Sequence, residues 1–160
     1  MKSKNEVLLV SACLAGENCK YSGGNNLVPS IRELVAAGHA VCVCPEVLGG
    51  LPTPRLPSEI QRDGRVLNRA GQDVTEAFCL GAEKALDIAR AHGCQRAILK
   101  ARSPSCGRGL VYSGGFDGTL VSGNGIAAEL LMKNGIEVMT EQEWLEKSVT
   151  PDGADPGPRR

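Results

Sequence analysis

Aromatic residues are scarce in this sequence, at 3% of 160 residues, and no apolar run approaches the length of a membrane span. A spanning helix needs roughly 18 or more consecutive apolar residues, and sequence-tolerant binding of single-stranded nucleic acid relies on exposed aromatic rings. The formal net charge is zero, with 18 basic and 18 acidic residues. Without a broad basic surface, we expect neither nucleic acid nor a membrane as a partner.

The sequence also lacks any Cys-x-x-Cys pair, although it contains seven cysteines. This absence weighs against a zinc ribbon and against a thioredoxin-like redox motif. Residues 1–6 are short and polar, unlike a secretory signal, so we expect a cytoplasmic protein with reduced thiols or metal ligands rather than disulfides. The seven cysteines are Cys13, Cys19, Cys42, Cys44, Cys79, Cys94 and Cys106.

Short apolar runs alternate with amphipathic stretches along the chain. This order predicts an α/β fold with a mostly parallel, Rossmann-like sheet and helices on both faces. We place a single domain at residues 1–148, followed at 149–160 by a tail of Pro, Gly and charged residues that we expect to be disordered. The predicted strands are 7–12, 40–44, 97–100 and 136–139, the helices are 29–38, 73–92, 126–132 and 141–147, and a minor hairpin joins 60–62 to 65–67.

Two long loops follow the second and third predicted strands, at 45–57 and 103–118, and both are rich in Pro and Gly. Because prolines interrupt the first, we expect it to be neither helix nor central strand. Ligands of parallel sheets bind beyond the carboxyl ends of the strands. Cys13 ends the first strand, Cys44 ends the second and Cys106 lies in the loop after the third. Three cysteines far apart in sequence are therefore predicted to meet at one edge.

Cysteine is the natural ligand of soft metals and of iron–sulfur clusters, and it is also a common small buried residue. A metal or cluster site and ordinary packing therefore both remain open for these three cysteines. If they bind a cubane cluster, one iron lacks a protein ligand and can hold sulfur as a soft Lewis acid. We interpret Cys79 and Cys94, on or just after the long helix, as structural, and we expect Cys42 to face the opposite side of the sheet from Cys44.

Four polar residues accompany these cysteines in the two loops. Glu46 follows the second strand, where a carboxylate can be a general base or simply a solvated charge. Arg55 lies among prolines and can receive an anion or remain exposed. Ser103 and Ser105 flank a proline before Cys106, where they are either turn residues or partners of a substrate.

Five motifs occur in order: VSACLAG at 10–16, CKYSGG at 19–24, CPEVLGGLPTPR at 44–55, GQDVT at 71–75 and LKARSPSCG at 99–107. Together they resemble the DUF523 family, whose members include thiouracil desulfidases. The resemblance covers about residues 6–145. It departs from the family in small respects, such as Ala15 and Ser22 where the family often has Leu and Asp.

The resemblance implies an enzyme with a [4Fe–4S] cluster that removes sulfur from a thiolated pyrimidine without net electron transfer. The implied substrates are 2-thiouracil, 4-thiouracil or 4-thiouridine monophosphate, and we expect a monomer or weak homodimer. Cys19 lies in the motif too, and whether it is a ligand stays open. The implied residues are Cys13, Cys44 and Cys106 for the cluster, Glu46 and Ser103 for catalysis, and Ser105 and Arg55 for substrate binding.

Two other functions fit the same cysteines. One is a sulfur carrier or persulfide relay that uses Cys13 or Cys106 without a cluster. The other is a redox-sensing or structural cysteine protein without turnover. Iron content after anaerobic purification distinguishes an enzyme with a cluster from both.

Overall fold

The computed structural model describes residues 6–148, so the predicted tail at 149–160 lies outside the described residues. None of the helices in the described part of the chain is long and apolar enough to cross a membrane. The strands are β1 (Leu8–Ser11), β2 (Ala40–Val43), β3 (Ser58–Ile60), β4 (Val66–Asn68), β5 (Arg96–Leu99), β6 (Leu110–Tyr112), β7 (Leu120–Ser122) and β8 (Glu137–Thr140). The helices are α1 (Pro29–Ala36), α2 (Pro45–Leu48), α3 (Thr75–Ala91), α4 (Ile126–Lys133) and α5 (Glu141–Ser148), with a 3₁₀ turn at Ala12–Ala15 after β1.

A four-stranded parallel sheet in the order β2-β1-β5-β8 forms the centre of the molecule. Its strands are the four that the apolar runs predict, so the predicted parallel α/β class is confirmed. Leu9 and Val10, on opposite faces of β1, are both fully buried, as expected for a strand covered on both sides. All four strands point the same way, and the loops that leave their carboxyl ends share one edge of the sheet.

The helices cover both faces of the sheet with apolar side chains. On one face, α3 and α4 contribute Ala85, Leu86 and Leu131 to a cluster with Leu9 and Leu99. On the other face lies a second apolar cluster.

That second cluster joins α1 and α5 to the sheet. Ile31 of α1 is fully buried against Val10, Ile98 and Met139, and Trp144 of α5 packs against the same group. The predicted three-layer arrangement follows from these two clusters.

Helix α2 occupies the start of the segment that we expected to be a loop. Pro45 stands at its first position, where the fixed φ of proline suits a helix and its missing N–H is not needed. This single turn packs closely on α3. A Cβ at Gly81 would overlap the carbonyl oxygen of Pro45, and a Cβ at Gly49 would overlap that of Ala77. Glycine at both positions therefore lets α2 approach α3 and fixes the backbone that follows β2.

Two small hairpins stand beside the sheet. The predicted one is present as β3 paired with β4, and the turn between them contains Gly64. The second, β6 paired with β7, lies within and just beyond the segment that we expected to be a loop. Its strands have three residues each and are partly exposed, too short to show an alternating pattern. Gln61 joins the hairpins, because its Nε2 donates to the carbonyl oxygen of Gly114 at 3.2 Å.

Candidate active site

A cavity of about 510 Å³ lies at the carboxyl ends of β1, β2 and β5. Its position agrees with the general rule for ligands of parallel sheets. Cys13, Cys44 and Cys106 all line it, and so do Glu46 and Ser105. The remaining predicted site residues, Ser103 and Arg55, line the same cavity.

Cys13 is held in the 3₁₀ turn that directly follows β1. The side chain is buried, and the side-chain amide of Asn26 donates to its sulfur at 3.3 Å. The backbone N–H of Asn26 also donates to the Cys13 carbonyl oxygen at 2.9 Å, so the loop before α1 folds back over this cysteine. Burial raises the pKa of the Cys13 thiol, although the Asn26 hydrogen bond opposes the rise.

Cys44 lies between β2 and α2 and is only partly buried. Its sulfur is 3.8 Å from the carbonyl oxygen of Cys19, to which the protonated thiol donates. The pKa of Cys44 is lowered to about 6, chiefly because the Cys19 thiol donates to the thiolate, with a further contribution from the N–H of Val47 in α2. Cys44 is therefore the thiolate of the pair, and the pKa of Cys19 is raised because its proton holds that charge.

Cys106 is buried at the end of the loop that follows β5. The Ser11 hydroxyl donates to its sulfur at 3.2 Å, and the Ser105 hydroxyl lies 3.7 Å from it. Burial raises the pKa of Cys106 to about 12, and the charges of Cys13 and Cys44 act in the same direction. The three thiols therefore influence one another electrostatically.

The loop that carries Cys106 is built around the Ser103 hydroxyl. This oxygen accepts the backbone N–H of Ser105 at 3.0 Å and that of Cys106 at 2.9 Å. The first turn of α4 donates N–H groups to the carbonyl oxygens of Pro104 and Ser105, which satisfies groups that a helix start leaves unpaired. Gly125 sits so close that a Cβ there would meet the Ser105 carbonyl at 2.5 Å. The loop is therefore fixed against α4.

Glu46 is held at both carboxylate oxygens. Arg55 Nε donates to Oε1 at 2.9 Å, and the Ser105 hydroxyl donates to Oε2 at 3.2 Å. Arg55 is itself nearly buried, with 6% of its side chain exposed. Its other nitrogens donate to the carbonyl oxygens of Pro52 and Cys19. In this structure the guanidinium orients Glu46 and the Cys19 loop, and a contact of Arg55 with substrate stays a prediction.

Cys19 lines the cavity too, whereas Cys42, Cys79 and Cys94 do not. Cys94 is buried, as expected of a structural cysteine, but Cys79 is exposed on α3 rather than packed in the core. Cys42 packs in the layer that contains Cys13. We expected strand alternation to turn Cys42 to the opposite side of the sheet from Cys44. That expectation was wrong, because residues two apart in a strand share a face. The chain leaves β2 at Val43, and this departure sends Cys44 to the cavity.

Sequence reasoning missed two buried carboxylates near the site. Glu141 follows β8, where it accepts the Ala101 N–H at 2.8 Å and lies 3.3 Å from Lys100 Nζ. Its place just after a predicted strand is a signal that could have identified it. Glu59 lines the cavity from the first hairpin, and the short alternating strand around it gave no indication of that position.

Within residues 6–148, no three His, Cys, Asp or Glu side chains converge on a point that could hold a single metal ion. A cubane cluster makes a different demand, because each cysteine ligand binds its own iron. Four cysteines on the walls of one cavity, Cys13, Cys19, Cys44 and Cys106, offer soft sulfur donors that suit that demand. Cys13, Cys44 and Cys106 are the three of them that the sequence predicts as ligands.

A parallel α/β fold with three thiols and a fixed carboxylate at its carboxyl edge defines a class of sulfur- or metal-handling proteins. The chain belongs to the 2-thiouracil desulfurase family, whose sequence model matches residues 8–143. The resemblance to DUF523 proteins is thereby confirmed, and family membership supports an enzymatic function.

Two relatives match nearly the whole chain. A solved structure described as a [4Fe-4S]-dependent thiouracil desulfidase, TudS (DUF523Vcz), has a TM-score of 0.83 and 43% identity, covering 89% of this chain and 95% of that one. The uncharacterized protein YbbK of Bacillus subtilis (strain 168) is 40% identical over 146 residues, covering 86% of this chain and 97% of the relative.

Proposed function

We propose that this protein is an iron–sulfur-dependent desulfidase that replaces the sulfur of a thiolated pyrimidine with oxygen from water. The observation that supports this proposal most directly is the meeting of four thiols, a fixed carboxylate and the hydroxyls of Ser103 and Ser105 in one cavity. The family match and the similarity to the solved TudS structure support the same activity.

The proposed ligands of a [4Fe–4S] cluster are Cys13, Cys44 and Cys106. Each comes from a different strand end, and Cys44 is already favoured as a thiolate, the form that binds metal. Cys19 also lines the cavity, and its carbonyl oxygen lies 3.8 Å from the Cys44 sulfur and accepts a hydrogen bond from Arg55 at 2.9 Å. We assign Cys19 a supporting position rather than a ligand position. A cluster held by three cysteines supplies one iron without a protein ligand, which can act as a Lewis acid toward sulfur.

We assign Glu46 as the general base. A water beside its carboxylate loses a proton as its oxygen attacks the thiocarbonyl carbon. The carbon–sulfur bond then breaks, sulfur leaves as hydrogen sulfide, and the pyrimidine gains a carbonyl oxygen. Atoms balance with one water consumed, and no electron is transferred.

The hydroxyls beside Glu46 form a short hydrogen-bonded path. Ser103 and Ser105 lie 3.0 Å apart at their oxygens, and Ser105 also contacts Glu46. We propose that Ser103 and Ser105 orient the substrate and pass protons between the carboxylate and the leaving sulfur. Arg55 holds the Glu46 carboxylate in place through its 2.9 Å contact.

The proposed substrates are 2-thiouracil, 4-thiouracil and 4-thiouridine monophosphate. The cavity wall includes Lys20, Arg69 and Arg102, which make no ion pair within the described residues. These cations are the feature that favours including a phosphorylated substrate. We further expect a monomer or weak homodimer, located in the cytoplasm, and a single domain at residues 1–148.

Anaerobic purification followed by iron and acid-labile sulfide analysis tests the proposal. We expect a brown protein that contains about four irons per chain and absorbs light at about 400 nm. It should release sulfide from a thiouracil without added reductant. A protein that stays free of iron after anaerobic reconstitution, or that carries a cluster but releases no sulfide from any of the three substrates, contradicts the proposal.

A cluster-free persulfide relay is the second candidate. The relay was expected to use Cys13 or Cys106, but both are buried and burial raises their pKa. Cys44 fits the role better, because it lines the cavity, is only partly buried and has a lowered pKa that favours the nucleophilic thiolate. The same preparation distinguishes the two. A colourless protein that carries a cyanide-labile sulfur and passes it to another thiol supports the relay.

A further inference from the structure

The few aromatic residues of this chain are concentrated at the cavity. Of two Tyr, two Phe and one Trp, three side chains line it: Tyr21, Tyr112 and Phe116. Phe116 comes from the loop of the second hairpin, whereas the cysteines come from the ends of the parallel strands. Tyr112 and Phe116 therefore reach the cavity from the second hairpin, a part of the fold that contributes none of its cysteines.

Phe116 is held in a conformation that its residue type rarely adopts. Its φ is +54°, in the left-handed region, which a bulky residue occupies only where its surroundings fix it. The buried carboxylate of Glu59 provides that constraint. Its Oε1 accepts the N–H of Gly114 at 2.9 Å and the N–H of Phe116 at 3.0 Å.

The ring of Phe116 is also covered from one side. The guanidinium carbon of Arg69 lies 5.7 Å from the ring centroid, within the range of a cation–π contact. Phe116 itself remains only partly buried. A half-buried ring, fixed through its backbone and backed by a cation, still has apolar surface to offer a flat ligand.

We propose that Phe116 is a specificity-determining residue that stacks on the heteroaromatic ring of the substrate, and that Glu59 is its positioning residue. This inference rests on the proposed function and refines it: the site selects a planar ring as well as a thiocarbonyl group. Offset stacking between two aromatic rings adds binding free energy beyond that of the buried area, so it favours ligands that contain an aromatic ring. A non-aromatic thiocarbonyl compound such as thiourea gains nothing from this ring.

The test compares Phe116→Asn with Phe116→Tyr in the iron-loaded enzyme. Asparagine tolerates the left-handed conformation but has no ring, whereas tyrosine keeps the ring. We expect Phe116→Asn to raise the KM for thiouracil and the inhibition constant of its product uracil by about tenfold. The kcat of Phe116→Asn should change little. In Phe116→Tyr, the KM for thiouracil and the inhibition constant of uracil should stay close to those of the parent enzyme. Iron content and the thermal midpoint are measured on each variant.

Inhibition by thiourea separates stacking from general damage to the pocket. If thiourea inhibits Phe116→Asn and the parent enzyme equally, the ring acts on aromatic ligands. Unchanged constants for thiouracil and uracil in Phe116→Asn, or an equal loss for thiourea, overturn the inference. The proposed function fails separately, if the parent enzyme releases no sulfide from any thiopyrimidine.

The role of Glu59 is tested through Phe116. Glu59→Ala removes the acceptor of both N–H groups and should raise the same two constants, whereas Glu59→Gln retains a carbonyl acceptor and should restore them in large part. A fall in kcat with unchanged KM in Glu59→Ala would assign Glu59 to the chemistry instead and overturn its positioning role.

Discussion

Cysteines occur in two contrasting regions of this molecule. At the carboxyl edge of the sheet, Cys13, Cys44 and Cys106 share a cavity with a carboxylate and several hydroxyls. Away from it, Cys79 is exposed on α3 and Cys94 is buried beneath the same helix in the apolar core. The side chain is identical in both regions, and only the neighbouring groups differ.

The difference shows that the strand ends, not the cysteines themselves, define the site. Cys106 and Cys94 are both buried, but two hydroxyls lie against the sulfur of Cys106. Both cysteines belong to the same apolar cluster, so the hydroxyls beside the Cys106 sulfur are what distinguishes the two. Polar groups buried around a sulfur need a reason, because packing alone favours apolar neighbours. Four experiments with substituted proteins test this contrast.

Loss of one cysteine from each region gives the largest expected difference. Cys106→Ala should abolish cluster assembly and sulfide release, because it deletes one of three proposed iron ligands. Cys79→Ala should alter neither, since its thiol is on an exposed helix face. Iron, labile sulfide and thiouracil turnover are measured after anaerobic reconstitution. A full cluster in Cys106→Ala would show that the ligands are wrongly assigned, and Cys19 would be the next residue to replace.

Glu46→Gln separates the carboxylate from the thiols at the same edge. The amide preserves the shape of the side chain but cannot accept the proton of water, so turnover should fall by ~10²–10⁴-fold. Iron and labile sulfide should stay at the level of the parent protein. Full turnover with an intact cluster would move the base elsewhere in the cavity.

Gly81→Ala tests whether the packing of α2 on α3 supports the site. The added Cβ would overlap the Pro45 carbonyl, so we expect a loss of about 2 kcal/mol or more in the free energy of unfolding, despite the better helix propensity of alanine. Turnover should fall as well, because Cys44 and Glu46 flank Pro45. Leu80→Ala, at an exposed position of α3, is the control and should stay within about 0.5 kcal/mol.

Cys19→Ala should produce the smallest and most local effect. In the cluster-free protein, Cys44 has a pKa of about 6 and is mainly thiolate above that pH. Its alkylation by iodoacetamide should rise with pH, with a midpoint near pH 6, and level off at higher pH. Removal of the Cys19 donor should move the midpoint upward by about one to two pH units. Mass spectrometry of the Cys44 peptide gives the rates, and an unchanged midpoint would show that Cys19 does not stabilise the thiolate.

The sequence was most informative where a pattern repeats. The buried runs around Leu9, Val43 and Ile98 predicted the parallel sheet, and its carboxyl edge predicted three of the four cysteines that line the cavity, leaving Cys19 open. The turn of α2 was not predicted, because prolines further along the segment concealed that Pro45 can begin a helix. The second hairpin was missed, since three-residue strands are too short for alternation to show.

Side-chain pairing was beyond the reach of the sequence. Arg55 was expected to meet an anion, and the structure gives it one in Glu46, nine residues earlier. Glu59 and Phe116 are 57 residues apart in sequence and come together where the two hairpins meet. Such contacts depend on the packing of separate hairpins, and neither spacing nor composition encodes that packing locally.

Two hydrogen bonds fix the orientation of the Ser11 hydroxyl group. Its oxygen accepts the backbone N–H of Lys100 at 2.9 Å, which occupies one lone pair, and its proton points to the sulfur of Cys106 at 3.2 Å. One side chain thereby ties the ends of β1 and β5 to a sulfur. Because a thiolate accepts hydrogen bonds more strongly than a thiol, this orientation favours the charged sulfur. Ser11 is therefore a preorganised hydrogen-bond donor to the Cys106 sulfur, and the sheet holds it in that orientation without a ligand.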